Sequence, residues 1–95
     1  MKELKTKVSY YGLAQNVLGL REEELSLPED CDVRHLLAVL AERHGNSFQD
    51  AVLTNEGTLR RMSKVLLDDR DIEDLAGLDT RLKGSARVSV VVVVY

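Results

Sequence analysis

The stretch Val88-Ser89-Val90-Val91-Val92-Val93-Val94-Tyr95 decides the fold of this 95-residue sequence. Valine is β-branched and favours strands over helices. A strand that is apolar on both faces belongs in the interior of a sheet or beneath a partner. The stretch therefore predicts a central strand, and we expect the first strand of the chain to lie beside it.

Two segments near the start of the chain alternate apolar and polar side chains, as strands with one buried face do. Residues 4–10 form the first of these segments, and residues 23–27 form the second. Pro28 cannot continue a ladder of hydrogen bonds, so it ends the second segment. The pattern predicts a β-hairpin, with a turn region between Gly12 and Gly19.

The clearest helix lies in residues 33–44, where one apolar stripe recurs at helical spacing. Its members are Val33, Leu36, Leu37, Leu40 and His44. Asp32 is a suitable N-cap for this helix, and Gly45 is a suitable C-cap. A second, short helix is predicted over residues 48–53, with Ser47 as its cap.

Residues 64–67 predict a third strand, which ends in a tight turn at Asp68-Asp69, and Ile72 begins a short fourth strand. This order of strands around one main helix predicts an α+β protein. We expect a mixed sheet of four to five strands, covered on one face by that helix. The length suits a single domain over residues 1–95.

Composition argues against several classes of function. The net charge of −3 leaves no broad basic surface for nucleic acid, and no apolar stretch approaches the roughly 20 residues of a membrane span. Cys31 is the only cysteine, so the chain alone builds neither a disulfide nor a cysteine-based metal cage. No titratable residues stand at a spacing that indicates catalysis. We expect a cytoplasmic domain without catalytic, metal-binding or cofactor-binding residues.

Four segments together resemble a known family. Tyr10-Tyr11-Gly12 resembles its first hairpin, residues 33–37 resemble its helix, and residues 65–72 resemble its third strand and turn. Residues 75–83 are the most specific, because they contain the family's Gly-Leu-Asp-Thr-x-Leu-Lys at every fixed position. The family is that of the molybdopterin synthase small subunit and the thiamine-pathway sulfur carrier. The resemblance implies a ubiquitin-like β-grasp fold.

The family's C-terminal Gly-Gly is absent from this sequence, in which Tyr95 falls just before the expected glycines and Val92-Val93 replace two prolines. In the family, that terminus is adenylated and then carries sulfur as a thiocarboxylate. The resemblance implies one of two non-enzymatic functions. One is a protein-binding module of molybdenum or tungsten cofactor biosynthesis that cannot itself carry sulfur. The other is a genuine sulfur carrier for molybdopterin or thiamine synthesis, whose Gly-Gly tail is missing from the sequence.

The last strand also predicts a surface for a partner. Alternate residues of a strand face opposite ways, so Val91, Val93 and Tyr95 face away from the helix, beside Tyr11 on the first strand. An exposed apolar patch of this kind usually marks a partner site. The resemblance implies that the partner is an adenylating enzyme or the synthase large subunit, whereas a homodimer would cover the same residues.

Several other residues have structural interpretations. We expect Cys31 to be semi-buried, His44 to interact favourably with the C-terminal end of the helix dipole, and Asp79-Thr80 to cap a turn. Arg60-Arg61 with Lys64 indicates either a docking patch for an acidic partner or a solvated loop.

Overall fold

Five strands form one mixed sheet with helices packed on one face in the computed structural model, which describes residues 3–83 and 86–93. The helices are α1 (Leu13–Leu18), α2 (Val33–His44) and α3 (Asn46–Val52). The strands are β1 (Glu3–Gly12), β2 (Glu22–Pro28), β3 (Ser63–Leu67), β4 (Arg70–Asp71) and β5 (Arg87–Val92). Two 3₁₀ turns, Ile72–Asp74 and Gly77–Asp79, connect β4 with β5.

The strands are arranged in the order β2-β1-β5-β3-β4, which places the first and last strands side by side at the centre. β1 and β5 run parallel, with Val8 beside Val88 and Tyr10 beside Val90, and all other neighbours are antiparallel. The prediction of a central valine strand is therefore confirmed over β5. The last two residues of the predicted strand, Val94 and Tyr95, lie outside the described residues.

The predicted main helix, α2, supplies the layer that covers the sheet. Its stripe of Val33, Leu36, Leu37 and Leu40 is buried, and each such side chain contributes roughly 1.5–3 kcal/mol by leaving water. Asp32 Oδ1 accepts a 2.8 Å hydrogen bond from the N–H of His35, so this residue is the N-cap, as predicted. Gly45 ends the helix at φ 71°.

The predicted turn region between β1 and β2 contains a helix, α1. Gly12 redirects the chain at φ 66° and ψ −136°, and Gly19 ends the helix in the left-handed conformation. A helix of six residues is too short to show a periodic pattern or to be stable alone. Burial of Ala14 against the core stabilises it instead.

Two further predicted boundaries are wrong. α3 begins at Asn46 with Gly45 in the N-cap position and no side-chain cap, so Ser47 does not cap it. Ile72 begins a 3₁₀ turn rather than a strand, because Asp71 Oδ1 accepts a 2.9 Å hydrogen bond from the N–H of Glu73 and bends the chain. Across the described residues, no helix has both the length and the apolar character that crossing a membrane requires.

Candidate functional site

The open face of the sheet, opposite the helices, becomes apolar where β1 and β5 finish. Tyr11 lies beside Val91 in the parallel pairing. Val93 follows β5, and its N–H donates a 3.0 Å hydrogen bond to the carbonyl of Met62, just before β3. Leu13 begins α1 and lines a shallow cavity together with Val91 and Val93. We call these five residues, Tyr11, Leu13, Met62, Val91 and Val93, the end patch.

Most of the end patch is open to solvent. Tyr11 is 51% exposed, Met62 41%, Val93 37% and Leu13 36%, whereas Val91 is half-buried. Among the described residues, only two other large apolar side chains are as exposed: Leu75, and Val17 one turn beyond Leu13 on α1. Single exposed apolar residues are ordinary, but a cluster indicates a surface that a partner covers.

Close backbone contact fixes the shape of the end patch. A Cβ on Gly12 would lie 2.2 Å from the carbonyl oxygen of Val92, so only glycine allows β1 to approach β5 this closely at that point. The hydrogen bond from Val93 to Met62 holds the other side of β5. The apolar side chains are therefore presented from an ordered backbone rather than from a mobile loop.

A groove of about 460 Å³ adjoins the end patch on the side of α3. Its apolar lining is Leu13, Ala51, Met62, Val92 and Val93, and its polar lining is Asp50, Arg60 and Arg61. We call it the arginine groove. A lining of apolar side chains with a few charged groups is the composition expected of a surface that binds a protein segment.

The main buried polar cluster serves structure. Glu23 on β2 accepts a 2.6 Å hydrogen bond from the Tyr10 hydroxyl, and its carboxylate also lies 2.8 Å from Arg43 Nε and 2.5 Å from His44 Nε2. Burial raises the pKa of Tyr10 far above its usual range, and Glu23 adds to this effect, so the phenol remains a proton donor. The cluster ties the end of α2 to the β1–β2 hairpin. His44 thus has a specific carboxylate partner in addition to its predicted place at the helix end.

Cys31 and the histidines form no reactive centre. Cys31 is 2% exposed, and its burial beside Asp32 raises the pKa of the thiol, which disfavours the reactive thiolate. His44 is engaged by Glu23, and His35 lies on the exposed side of α2. Across the described ranges, 3–83 and 86–93, no group of at least three His, Cys, Asp or Glu side chains is placed to hold a metal ion.

The segment that is most specific in sequence is structural in the fold. Thr80 Oγ1 accepts a 3.0 Å hydrogen bond from the N–H of Ala76, so this residue closes a turn as expected. Asp79 does not cap the turn; its Oδ1 instead lies 3.3 Å from Arg34 Nη2 on α2. The carbonyl of Thr80 also accepts a bond from the N–H of Val33, which fastens the segment to the start of α2.

Of the residues predicted to bind a partner, Tyr11, Val91 and Val93 lie together on the open face, and Tyr95 lies outside the described residues. Sequence reasoning missed Leu13 and Met62. Met62 could have been found by extending the alternation of β3 backward, since it shares a face with residues 64 and 66. Leu13 gave no such signal, because its position depends on the sharp bend at Gly12.

Comparison with known proteins gives a consistent result. The sequence matches the ThiS family over residues 8–95, which is most of the chain. The comparison with curated proteins found no match.

Solved structures with the same fold include a converting factor subunit, a small modifier protein and one chain of a protein complex. A putative molybdopterin converting factor subunit 1 from Pyrococcus furiosus is 28% identical, with a TM-score of 0.75, over 96% of this chain and 99% of that one. Small archaeal modifier protein 1 of Haloferax volcanii is 18% identical, with a TM-score of 0.81 and coverage of 96% and 99%. A chain of the BexX/CysO complex of Amycolatopsis orientalis is 18% identical, with a TM-score of 0.73 and coverage of 95% and 97%. With its five-stranded mixed sheet and its match over residues 8–95, the chain belongs to the ThiS family of ubiquitin-like sulfur carriers.

Proposed function

We propose that this chain is a non-catalytic protein-binding module of molybdenum or tungsten cofactor biosynthesis, and that it docks on its partner through the end patch. The observation that carries the proposal is the clustering of exposed Tyr11, Leu13, Met62 and Val93 at one end of the sheet. The 28% identity to a putative molybdopterin converting factor subunit supports the choice of pathway.

The partner we propose is an adenylating enzyme or a synthase large subunit. The solved BexX/CysO complex, one chain of which has this fold, supports docking between a protein of this fold and a second protein. The apolar end patch would lose its contact with water on docking, which is the main favourable term in most protein association. We place the module in the cytoplasm, where a lone thiol such as Cys31 stays reduced.

The test measures binding of the purified adenylating enzyme and synthase large subunit from the same organism by calorimetry. Tyr11→Asp with Val93→Asp puts two charges on the end patch, and we expect the Kd for at least one enzyme to rise more than about tenfold. Leu75→Asp is the matched control, because Leu75 is 36% exposed outside the patch. Thermal unfolding monitored by circular dichroism checks that the variants fold. Unchanged binding by the folded double variant, or an equal loss with Leu75→Asp, would contradict the proposal.

A second candidate function is that of a working sulfur carrier, which membership of the ThiS family favours. Because β5 passes through the end patch, Val93, the last residue that the structure describes, belongs to the surface that we propose an activating enzyme contacts. Intact-mass measurement of the protein isolated from its own cells distinguishes the two functions. The carrier function would be supported by a mass that corresponds to a chain ending in Gly-Gly. The mass should then increase by the replacement of one oxygen with sulfur after incubation with ATP, a sulfur donor and the adenylating enzyme. A mass that corresponds to a chain ending at Tyr95, and that does not increase after this incubation, would support the binding module.

A further inference from the structure

Arg60 and Arg61 lie on a segment whose backbone is held at both ends. The N–H of Arg60 donates a 2.9 Å hydrogen bond to the carbonyl of Val52 at the end of α3, and its own carbonyl accepts one of 2.9 Å from the N–H of Ser63 at the start of β3. Leu59, the residue before, forms a bridge with Leu53. The two side chains therefore branch from an ordered segment of backbone, so a ligand that binds them does not have to order the main chain as well.

Both arginines are available for an external anion. Their side chains are exposed, and neither forms an ion pair within residues 3–83 and 86–93, although Arg34, Arg43 and Arg81 do. Neighbouring Lys64, in contrast, lies 3.7 Å from Asp71. In a chain of net charge −3, the arginine groove has two arginines and one aspartate, Asp50, in its lining.

The apolar and basic parts of the groove adjoin each other. Met62 follows Arg61 directly, and Leu13 and Val93 belong to both the groove and the end patch. A single extended segment could place an apolar side chain against Leu13, Met62 and Val93 while neighbouring carboxylates reach the arginines, and a guanidinium can receive a carboxylate through two parallel hydrogen bonds.

We propose that the arginine groove binds an acidic peptide segment of the partner protein, in which Asp or Glu residues flank an apolar side chain. The proposal rests on the proposed function, because it specifies the chemistry of the partner that covers the end patch. Arg60 and Arg61 select the partner by charge, while the apolar residues supply contact area.

An unbiased test selects peptides from a random dodecapeptide library displayed on phage, with the folded protein immobilised. We expect the enriched peptides to place Asp or Glu on both sides of an apolar residue, and we expect their enrichment to be lost on the Arg60→Glu, Arg61→Glu variant. Enrichment of peptides without acidic residues, equal enrichment on both proteins, or no enrichment would overturn the proposal. The library contains neither the adenylating enzyme nor the synthase large subunit. A negative result of the selection therefore does not contradict docking of the end patch on those enzymes.

Fluorescence anisotropy with the most enriched peptide then measures the effect of each charge. Arg60→Glu with Arg61→Glu should raise the Kd about tenfold, whereas Asp50→Asn should lower it roughly twofold by removing a like charge. Arg70→Glu is the matched control, because Arg70 is an exposed arginine on β4 outside the groove, and its Kd should stay within about twofold of wild type. The proposal would be overturned if Arg70→Glu raised the Kd as much as the double variant does, or if Asp50→Asn did not lower the Kd. The proposal would also be overturned if a second copy of the chain occupied the groove, so that self-association, detected by sedimentation, displaced the peptide.

Discussion

Gly12 lies against the carbonyl of Val92 at the point where β1 bends into α1, and this contact leaves no room for a side chain at position 12. Gly12→Ala would place a Cβ 2.2 Å from that oxygen, so the two central strands would have to separate. Gly45 is the matched control: its φ of 71° and ψ of −147° are close to those of Gly12, but a Cβ there would meet nothing within 4 Å.

We expect Gly12→Ala to lower the free energy of unfolding by at least about 2 kcal/mol more than Gly45→Ala, since both variants carry a similar backbone strain and only one carries the clash. Urea unfolding curves of the two variants and the wild type measure the difference. Equal losses of unfolding free energy would show that the close approach of β1 and β5 is not the reason why position 12 needs glycine.

Glu23 connects two elements, α2 and the β1–β2 hairpin, and its removal tests how much that connection contributes. Glu23→Ala leaves the Tyr10 hydroxyl and His44 without their partner in a nearly dry setting, where each lost contact is costly. We expect a loss of about 3 kcal/mol in the free energy of unfolding, measured in urea. Glu22→Ala serves as the control, because its ion pair with Lys7 is exposed, and it should cost at most about 0.5 kcal/mol. Similar losses for both would contradict the role given to the cluster.

Elements with a strong periodic pattern could be predicted from sequence, and elements created by tertiary contacts could not. The leucine stripe of α2 and the valines of β5 each carry their own signal, so their positions and the pairing of β1 with β5 were predictable. α1 was not, because six residues show no period, and the bend at Gly12 depends on contact with β5. The same limit applies to the candidate site. Tyr11, Val91 and Val93 follow from strand alternation, whereas Leu13 joins them only through the bend.

For the molecule as a whole, two pKa shifts within residues 3–83 and 86–93 predict how stability depends on pH. The pKa values of Cys31 and Tyr10 are both raised by burial, so the folded state holds these protons more tightly than the unfolded chain does. Their contribution to stability is complete below the unfolded pKa values, about 8.5 for cysteine and about 10 for tyrosine, and it is lost as the pH rises above them.

We therefore expect the free energy of unfolding to fall as the pH rises above about 8.5 and to fall more steeply above about 10. In Cys31→Ala, the first part of the decline should disappear, and in Tyr10→Phe, the second part should weaken. Urea unfolding at a series of alkaline pH values measures both effects. A pH dependence that is identical in wild type and both variants would show that other groups control alkaline unfolding.

The parallel pairing of β1 with β5 also has a consequence for synthesis of the protein. The ribosome makes β1 early and β5 late, so the centre of the sheet stays empty until residues near 92 have left the exit tunnel. Tyr11 and Val91 become neighbours only at that moment, because they are 80 positions apart in the chain. A nascent or prematurely released chain thus lacks the end patch, and a protein that recognises this surface would bind only chains that have been synthesised through β5.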